Sequence, residues 1–220
     1  GAEGRLAELG DLRVRLLRQW QEAARELSQE RKRAAEALAR AVQAELQKLG
    51  MPRAIFQVSF SERGHTPHPE GLDELEFLIS PNPGEEPRPL ARVASGGEMA
   101  RVMLALKTVL ASADNIPVLI FDEIDAGIGG RAAHSVGERM ARVATGKQVL
   151  AVTHLAQIAV RADAHFLLEK EVVGGRTVTR ARALSFEERV YEIARMMGGG
   201  QEDTALTHAR SLLEKYAKAG

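Results

Sequence analysis

The sequence predicts an α/β protein in which one long helix precedes a mostly parallel sheet flanked by helices. Residues 5–49 contain no proline and are rich in Ala, Leu, Glu, Arg and Gln, which favour helices. Residues 118–121 form an apolar run typical of a buried strand, residues 148–153 (QVLAVT) predict a second strand, and helical patterns lie between and around them. The proline-free stretch predicts a coiled-coil arm helix at 1–50. Because strands that alternate with helices pair in parallel, we expect an α/β lobe at 51–220.

The composition limits the classes of function. The 220 residues include no cysteine, which excludes disulfides, thiolate metal sites and cysteine nucleophiles. Thirty basic residues balance thirty acidic ones, so the overall charge predicts neither nucleic-acid binding nor membrane binding. No apolar run reaches the length of a membrane-spanning helix, and the sequence lacks a signal-peptide core. We therefore expect a soluble, intracellular protein.

The first predicted element is the arm helix. Its apolar residues recur at spacings of three, four and seven, which gives one apolar stripe. The stripe comprises Leu6, Leu9, Leu12, Leu16, Trp20, Leu27, Ala34, Leu38, Val42 and Leu46. At 1.5 Å per residue the helix would span roughly 60 Å, which favours a coiled-coil arm over a bundle helix. Arg31 interrupts one candidate seam, and Gly50 with Pro52 predicts the end of the helix.

Two strands are expected next, because residues 54–60 and 74–80 alternate between apolar and polar side chains. The segment 81–89, PNPGEEPRP, contains too much proline for a helix or a strand. His65 and His68 lie in the loop between the two strands. Without a third ligand nearby, they are expected to be exposed loop residues rather than metal ligands.

Helices and a hairpin are predicted in the rest of the chain. Helical patterns cover 98–111 and about 131–143. The segment HFLLEKEVVGGRTVTRARAL predicts a hairpin that turns at Gly174–Gly175. Ser185 and Glu188 have the spacing of a capping box at a helix start. The last two helices are expected to end at the glycines 198–200 and near Lys218.

Two adjacent acids, Asp122 and Glu123, follow the apolar strand at 118–121. A buried parallel strand delivers the side chains at its carboxyl end to the sheet edge where α/β proteins bind ligands. A carboxylate at this edge can hold Mg²⁺, and a neighbouring carboxylate can polarise an attacking water. The alternative is a pair of acids that caps the next helix.

A second motif, SGGE, comprises Ser95, Gly96, Gly97 and Glu98 and stands between a loop and a helix. Two glycines let the backbone approach an oxyanion closely, and a helix start offers unpaired N–H groups. By itself the motif also fits an ordinary helix start capped by serine. His154 follows the next strand, at the same sheet edge as the two acids, where it can meet a terminal phosphate or the attacking water.

In this order, the motifs resemble the C-terminal lobe of a P-loop NTPase head, of the ABC type found in the structural-maintenance-of-chromosomes (SMC) class. The resemblance is carried by ARVASGGEMARVMLALK, VLIFDEIDAGIGG, VLAVTHLAQIA and EIARMMGGG, and runs from about residue 90 to the end of the sequence. More narrowly, these segments resemble a bacterial DNA-repair branch of that class. The resemblance implies binding and hydrolysis of ATP with Mg²⁺, and action on DNA in double-strand-break repair in the cytoplasm.

The resemblance also implies a role for each motif. Residues 95–98 match the signature motif, which contacts the γ-phosphate of ATP on the opposing head. Asp122 matches the magnesium residue of the Walker B motif, Glu123 the catalytic glutamate and His154 the switch histidine. The aspartate that commonly closes the family's D-loop falls at Gly129. Asp125 stands earlier in that loop, so the group that signals across a head–head interface is left open.

A larger departure is that no Gly-x-x-x-x-Gly-Lys-Ser/Thr sequence occurs in these residues. The resemblance therefore implies three partners: an N-terminal Walker A lobe of the same protein, a second identical head, and DNA. A membrane partner is not expected. Two alternatives remain, a non-catalytic module used for assembly and another chromosome-organising ATPase of the SMC class. The long helix before the sheet, and GGE where transporters usually carry GGQ, argue against a transporter subunit.

Overall fold

The computed structural model of the chain describes residues 1–64, 66–93, 95–199 and 202–217. Three predictions from the sequence involve residues outside these ranges: His65 as an exposed loop residue, Gly200 at a helix end, and Lys218 at the end of the last helix. The chain divides into two compact units. One comprises Gly1–Ala44 with Arg53–Val93, and the other Glu45–Pro52 with Ala94–Gly220.

The first helix, α1, covers Ala2–Lys48, within the range 1–50 that was expected for the arm helix. Its end is where the sequence placed it. Gly50 has φ of 82°, in the left-handed region, and the N–H of Met51 donates to the carbonyl of Leu46 at 2.9 Å. This is a common way to close a helix, because glycine adopts that backbone without a steric cost. Since α1 contributes residues to both units, the division at residue 50 stays a proposal.

The first unit contains a small antiparallel sheet. Strand β1, Ile55–Glu62, pairs with β2, Asp73–Ser80, over their full length. A third strand, β3, consists of Arg88–Pro89 and pairs with β2. The expectation that 81–89 contains no strand is therefore wrong for its last two residues. Proline is tolerated there because an edge strand does not need every N–H for pairing.

Polar side chains of α1 hold it to the loop between β1 and β2 and to the first residue of β2. The indole of Trp20 donates to the carbonyl of His68 at 3.0 Å, and the hydroxyl of Ser28 donates to Asp73 at 2.7 Å. Arg31 donates to the carbonyl of Glu70 at 2.8 Å. The arginine that interrupts the apolar seam therefore has a structural role in this attachment.

The second unit contains the predicted alternation of helices and strands. In chain order the elements are α2, Gly96–Val109; β4, Val118–Phe121; α3, Gly130–Ala144; β5, Gln148–Ala151; and α4, Ala156–Ala159. Strands β4 and β5 are parallel, with Val118 opposite Gln148 and Phe121 opposite Ala151. The predicted parallel pairing is thus confirmed, and among the described residues it is found in this pair of strands. Both strands end at the same edge.

The end of the second unit is a hairpin followed by two helices. Strands β6, Phe166–Val173, and β7, Arg176–Ala183, turn at Gly174 and Gly175, which have φ of 58° and 76°. These values suit the two-residue turns that match strand twist, as predicted. Helix α5, Phe186–Met196, starts with the predicted capping box, and α6 covers Asp203–Ala217. Helices α4, α5 and α6 share an apolar core that includes Val190, Ile193, Ala209 and Leu213.

Candidate functional site

The candidate site surrounds residues 122–129, the loop between β4 and α3, which we call the site loop. Because β4 and β5 run in parallel, the acids after β4 and the Thr153–His154 pair after β5 lie at one edge of the sheet. The backbone N–H of Val152 donates to the carbonyl of Phe121 at 3.0 Å, which continues the pairing past the end of β5. The sequence prediction that these side chains share an edge agrees with this arrangement.

The two adjacent acids are both exposed, but they differ in backbone conformation. One carboxylate oxygen of Asp122 accepts from the N–H of Glu123 at 2.9 Å, which leaves the other oxygen free to bind a cation. Glu123 has φ of 55° and is, among the described residues, the one non-glycine residue with a positive φ. This conformation costs a residue with a Cβ atom roughly 1–2 kcal/mol. The site loop therefore carries backbone strain at the residue with the second carboxylate.

The glycines of SGGE allow the start of α2 to pack closely on the site loop. A Cβ atom at Gly97 would lie 2.9 Å from the carbonyl oxygen of Glu123 and 2.9 Å from the Cβ of Ala126. A Cβ atom at Gly96 would collide with the carboxylate of Glu123. Ser95 caps the helix and accepts from the N–H of Glu98 at 3.3 Å. The two glycines thus have a packing role, and the phosphate role that the sequence suggested stays a prediction.

Arg101, one turn further along α2, is a site residue that the sequence analysis missed. Its side chain is buried, and Nη1 donates to the carbonyls of Ile124 at 3.2 Å and Ala126 at 2.9 Å. Burial lowers the pKa of the Arg101 guanidinium, while the charge of Glu98 acts in the opposite direction. Arg101 ties the helix that begins with SGGE to the backbone of the site loop. An arginine on an otherwise apolar helix face was the signal available in the sequence.

Asp125 is the most deeply buried acid of the site loop, with 4% of its surface exposed. Its Oδ2 accepts from the hydroxyl of Thr153 at 2.5 Å and from the N–H of His154 at 2.9 Å. The same oxygen lies 3.0 Å from Nδ1 of the His154 ring. Asp125 therefore bonds within its own chain, and Gly129, the other candidate D-loop residue, is exposed at the start of α3.

The described residues contain no group of three or more His, Cys, Asp or Glu side chains arranged to hold a metal ion by themselves. His68 lies 3.2 Å from the guanidinium of Arg63, and its Nδ1 accepts from the N–H of Glu70 at 3.1 Å. The described contacts of the His68 ring are thus with neighbouring residues of the β1–β2 hairpin. In the part of the chain that the structure describes, no helix combines the length and apolar character needed to cross a membrane.

Curated relatives identify the family. The DNA repair protein RecN of Treponema pallidum is 47% identical over 210 residues, which cover 93% of this chain and 37% of that protein. The DNA repair protein RecN of Deinococcus radiodurans is 50% identical over 183 residues, which cover 83% of this chain and 32% of that protein. The chain belongs to the RecN family. It spans about a third of the length of these RecN relatives.

A solved structure supports the fold of this RecN-family chain. The Smc head domain with a coiled coil and joint from Pyrococcus yayanosii matches with a TM-score of 0.51, over 89% of this chain and 37% of that one. The two sequences are 23% identical, so the likeness concerns the fold alone. The predicted fold class, an α/β lobe of an SMC-type head preceded by a long helix, is confirmed. No family model matches the chain.

Proposed function

We propose that this RecN-family chain is the C-terminal lobe of an ATPase head that acts in DNA repair. One observation carries the proposal: the site loop, which begins with the Asp122–Glu123 pair, is contacted by both the start of α2 with SGGE and His154 at the carboxyl edge of β4 and β5. Parallel sheets bind ligands at this edge. The names of the relatives support the repair role, which would place the protein in the bacterial cytoplasm, at the nucleoid.

In this proposal Asp122 binds Mg²⁺. Magnesium in nucleotide sites is usually held by one or two carboxylates together with phosphate oxygens, and it needs no larger cluster of protein ligands. The exposed carboxylate of Asp122, with one oxygen already oriented by the N–H of Glu123, fits this pattern. When bound, the ion would neutralise charge on the phosphates.

Glu123 and His154 would act on the water and the γ-phosphate. The carboxylate of Glu123 is exposed beside Asp122, so it can accept a hydrogen bond from a water that attacks in line with the leaving group. His154 is held at the end of β5 through its own backbone N–H. Ser95 and the N–H groups at the start of α2 would contact the γ-phosphate of ATP on a second head, with Gly129 near that interface.

The remaining part of the phosphate site must come from elsewhere, because the 220 residues contain no phosphate-binding loop sequence. The N-terminal Walker A lobe of the same protein is the proposed source. The exposed apolar residues on one face of the β4–β5 pair support the presence of a second lobe. Ile120 is 73% exposed, and Leu150 and Val152 are also exposed. Apolar strand residues at the centre of an α/β sheet are normally covered.

The arm helix, proposed as residues 1–50, would pair with a second helix of the same protein in a coiled coil. Its first third exposes Leu6, Leu9, Leu12 and Leu16, which lie three or four residues apart. Such a seam needs a partner helix to bury it. The lobe at 51–220 would then join the Walker A lobe at the base of the coil, and the completed heads would act on DNA.

The test uses this chain reassembled with the Walker A lobe. Replacing Glu123→Gln should abolish ATP turnover, because the amide cannot polarise the attacking water. ATP-driven association of heads should be kept, since shape and hydrogen bonding change little. The measurements are phosphate release and the oligomeric state with and without ATP. Glu214→Gln, at an exposed position on α6, is the matched control and should leave both unchanged.

Two outcomes would contradict the proposal. Undiminished phosphate release by the Glu123→Gln protein would remove the catalytic role of Glu123. Phosphate release by this chain alone, without an added lobe, would refute the view that it holds half of a site.

A further inference from the structure

We propose that Asp125 is a positioning residue that holds the His154 ring by Nδ1 and leaves Nε2 as the nitrogen that meets the substrate. The inference deepens the proposed function, since a role for His154 in hydrolysis rests on it. The geometry itself does not depend on that function. Asp125 contacts Thr153 and His154 of its own chain and so joins the site loop to the end of β5. It is therefore not expected to contact an opposing head.

One atom of Asp125 makes these contacts. Oδ2 of Asp125 accepts from the hydroxyl of Thr153 at 2.5 Å and from the N–H of His154 at 2.9 Å, and lies 3.0 Å from the His154 ring. The two hydrogen bonds, one from the Thr153 hydroxyl and one from the His154 backbone, fix the strand end on the site loop. The third contact, at ion-pair distance between Oδ2 and Nδ1, holds the imidazole with Nδ1 towards the carboxylate. Backbone and ring of the histidine are therefore oriented by the same oxygen.

The contact also selects one tautomer. An ionised carboxylate can only accept hydrogen bonds, so the ring nitrogen that faces Asp125 must carry the proton. In a neutral ring the other nitrogen, Nε2, then has a free lone pair. Nε2 is therefore the ring nitrogen that is left to face the nucleotide side of the site.

A purely structural role for Asp125 needs only the bonds to Thr153 and to the backbone of His154. The His154 side chain is 74% exposed, whereas the Asp125 side chain is 5% exposed, so the ring could leave the carboxylate without unfolding the loop. Only the positioning role predicts that the ring stays and that its tautomer follows Asp125. The tautomer is thus the readout that separates the two roles.

Ring-nitrogen NMR of this chain with ¹⁵N-labelled histidine measures the tautomer directly. Spectra at about pH 9, where an ordinary imidazole is neutral, should show His154 mainly protonated at Nδ1. A His154→Gln variant assigns the signal. Asp125→Ala should lower the ratio of Nδ1–H to Nε2–H tautomers about fivefold or more, as expected for the loss of one polar contact of typical strength.

Two further variants serve as controls. Asp125→Asn keeps an acceptor oxygen and should keep the Nδ1–H form in the majority. Thr153→Val removes the hydroxyl that bonds Asp125 and also accepts from the N–H of Leu155 at 3.0 Å, so it loosens the strand end without removing the acceptor. It should leave the tautomer ratio within about twofold of the wild-type value. Circular dichroism checks that each variant is folded.

The inference is overturned if wild-type His154 is mainly protonated at Nε2, or if a folded Asp125→Ala protein keeps the wild-type ratio. It is also overturned if Thr153→Val shifts the ratio as far as Asp125→Ala does. Should Asp125→Ala not fold, the wild-type ratio and the Thr153→Val ratio decide. The spectra need no nucleotide and no second lobe, so a failure of the proposed ATPase function would leave their outcome unaffected.

Discussion

The two ends of α1 have the same amphipathic pattern but different surroundings. Near its start, Leu6 is 69% exposed and Leu9 is 55% exposed, whereas Val42 and Leu46 near its end are fully buried. A regular stripe of apolar residues predicts a helix and the face it buries. It does not predict where along the helix the covering surface lies. The difference teaches that the described chain buries this stripe only near the end of α1 and leaves its first four leucines exposed.

The middle of α1 differs from both ends because polar contacts attach it. There the chain attaches α1 with hydrogen bonds from Trp20, Ser28 and Arg31 rather than with apolar packing alone. Directional bonds of this kind fix the register of a helix on its neighbour more tightly than aliphatic contacts do. Arg31 therefore fits its position, although it breaks the apolar seam.

The strongest test of the comparison truncates one leucine at each end of α1. Leu46→Ala should lower the free energy of unfolding by about 3 kcal/mol, because a fully buried leucine leaves a cavity when it is shortened. Leu12→Ala, the matched control, should change it by less than about 0.5 kcal/mol, since that side chain is exposed. Urea denaturation followed by circular dichroism measures both. Equal losses of unfolding free energy in the two variants would contradict the difference in burial between the two ends of α1.

A smaller effect is expected from the charged pair at the buried end. Burial raises the pKa of Glu45, but hydrogen bonds from Lys48 and Arg139 outweigh it, so the pKa is lowered from its ordinary value of 4.5. A lowered carboxyl pKa means that the unfolded chain binds protons first as the pH falls. The contribution of Glu45 to stability is therefore present above about pH 4.5 and is lost as the pH falls through its folded-state pKa.

Glu45→Gln should remove that contribution, which we expect to be about 1 kcal/mol, because the pair with Arg139 at 2.7 Å is only partly shielded from solvent. Unfolding free energies at about pH 7 and about pH 3.5 should differ less in the variant than in the wild type. The difference between the variant and the wild type should become smaller at the lower pH. A constant difference at both pH values would show that the effect is packing and not charge.

The smallest effect on this chain is expected at the exposed end. Replacing Leu9→Gln and Leu12→Gln together should leave its unfolding free energy within about 0.5 kcal/mol of the wild-type value. In a longer RecN-family protein that contains the proposed partner helix, the same pair should lower the melting temperature of the coil, because the seam would lose two apolar contacts. Differential scanning calorimetry on both proteins makes the comparison. No change in the longer protein would sink the proposed coil pairing.

Much of the fold was predictable because its elements have periodic apolar patterns or glycines that mark their ends. The helix that ends at Gly50, the parallel pair β4–β5 and the hairpin at Gly174–Gly175 each follow from a local pattern. Strand β3 was not predictable, because two residues have no period and Arg88–Pro89 is defined only by its partner. The 3-10 turn at Leu90–Arg92 was missed for the same reason.

For the candidate site, the sequence predicted which residues end at the sheet edge but not how they contact each other. Asp122, Glu123 and His154 follow strands, so their shared edge could be inferred from topology. Arg101 was missed because its partner carbonyls lie 23 and 25 residues away. The bond from Thr153 to Asp125 joins residues 28 apart, so it too depends on the tertiary structure.

The left-handed backbone at Glu123 has a consequence for protein engineering. Redesign for stability alone would begin at this position, because glycine or asparagine adopts φ of 55° at a lower cost than glutamate. Either replacement would also delete the carboxylate. A thermostable variant obtained in this way would lose the carboxylate on which the proposed hydrolysis depends, so Glu123 should be excluded from a stabilising library until the Glu123→Gln test has been made.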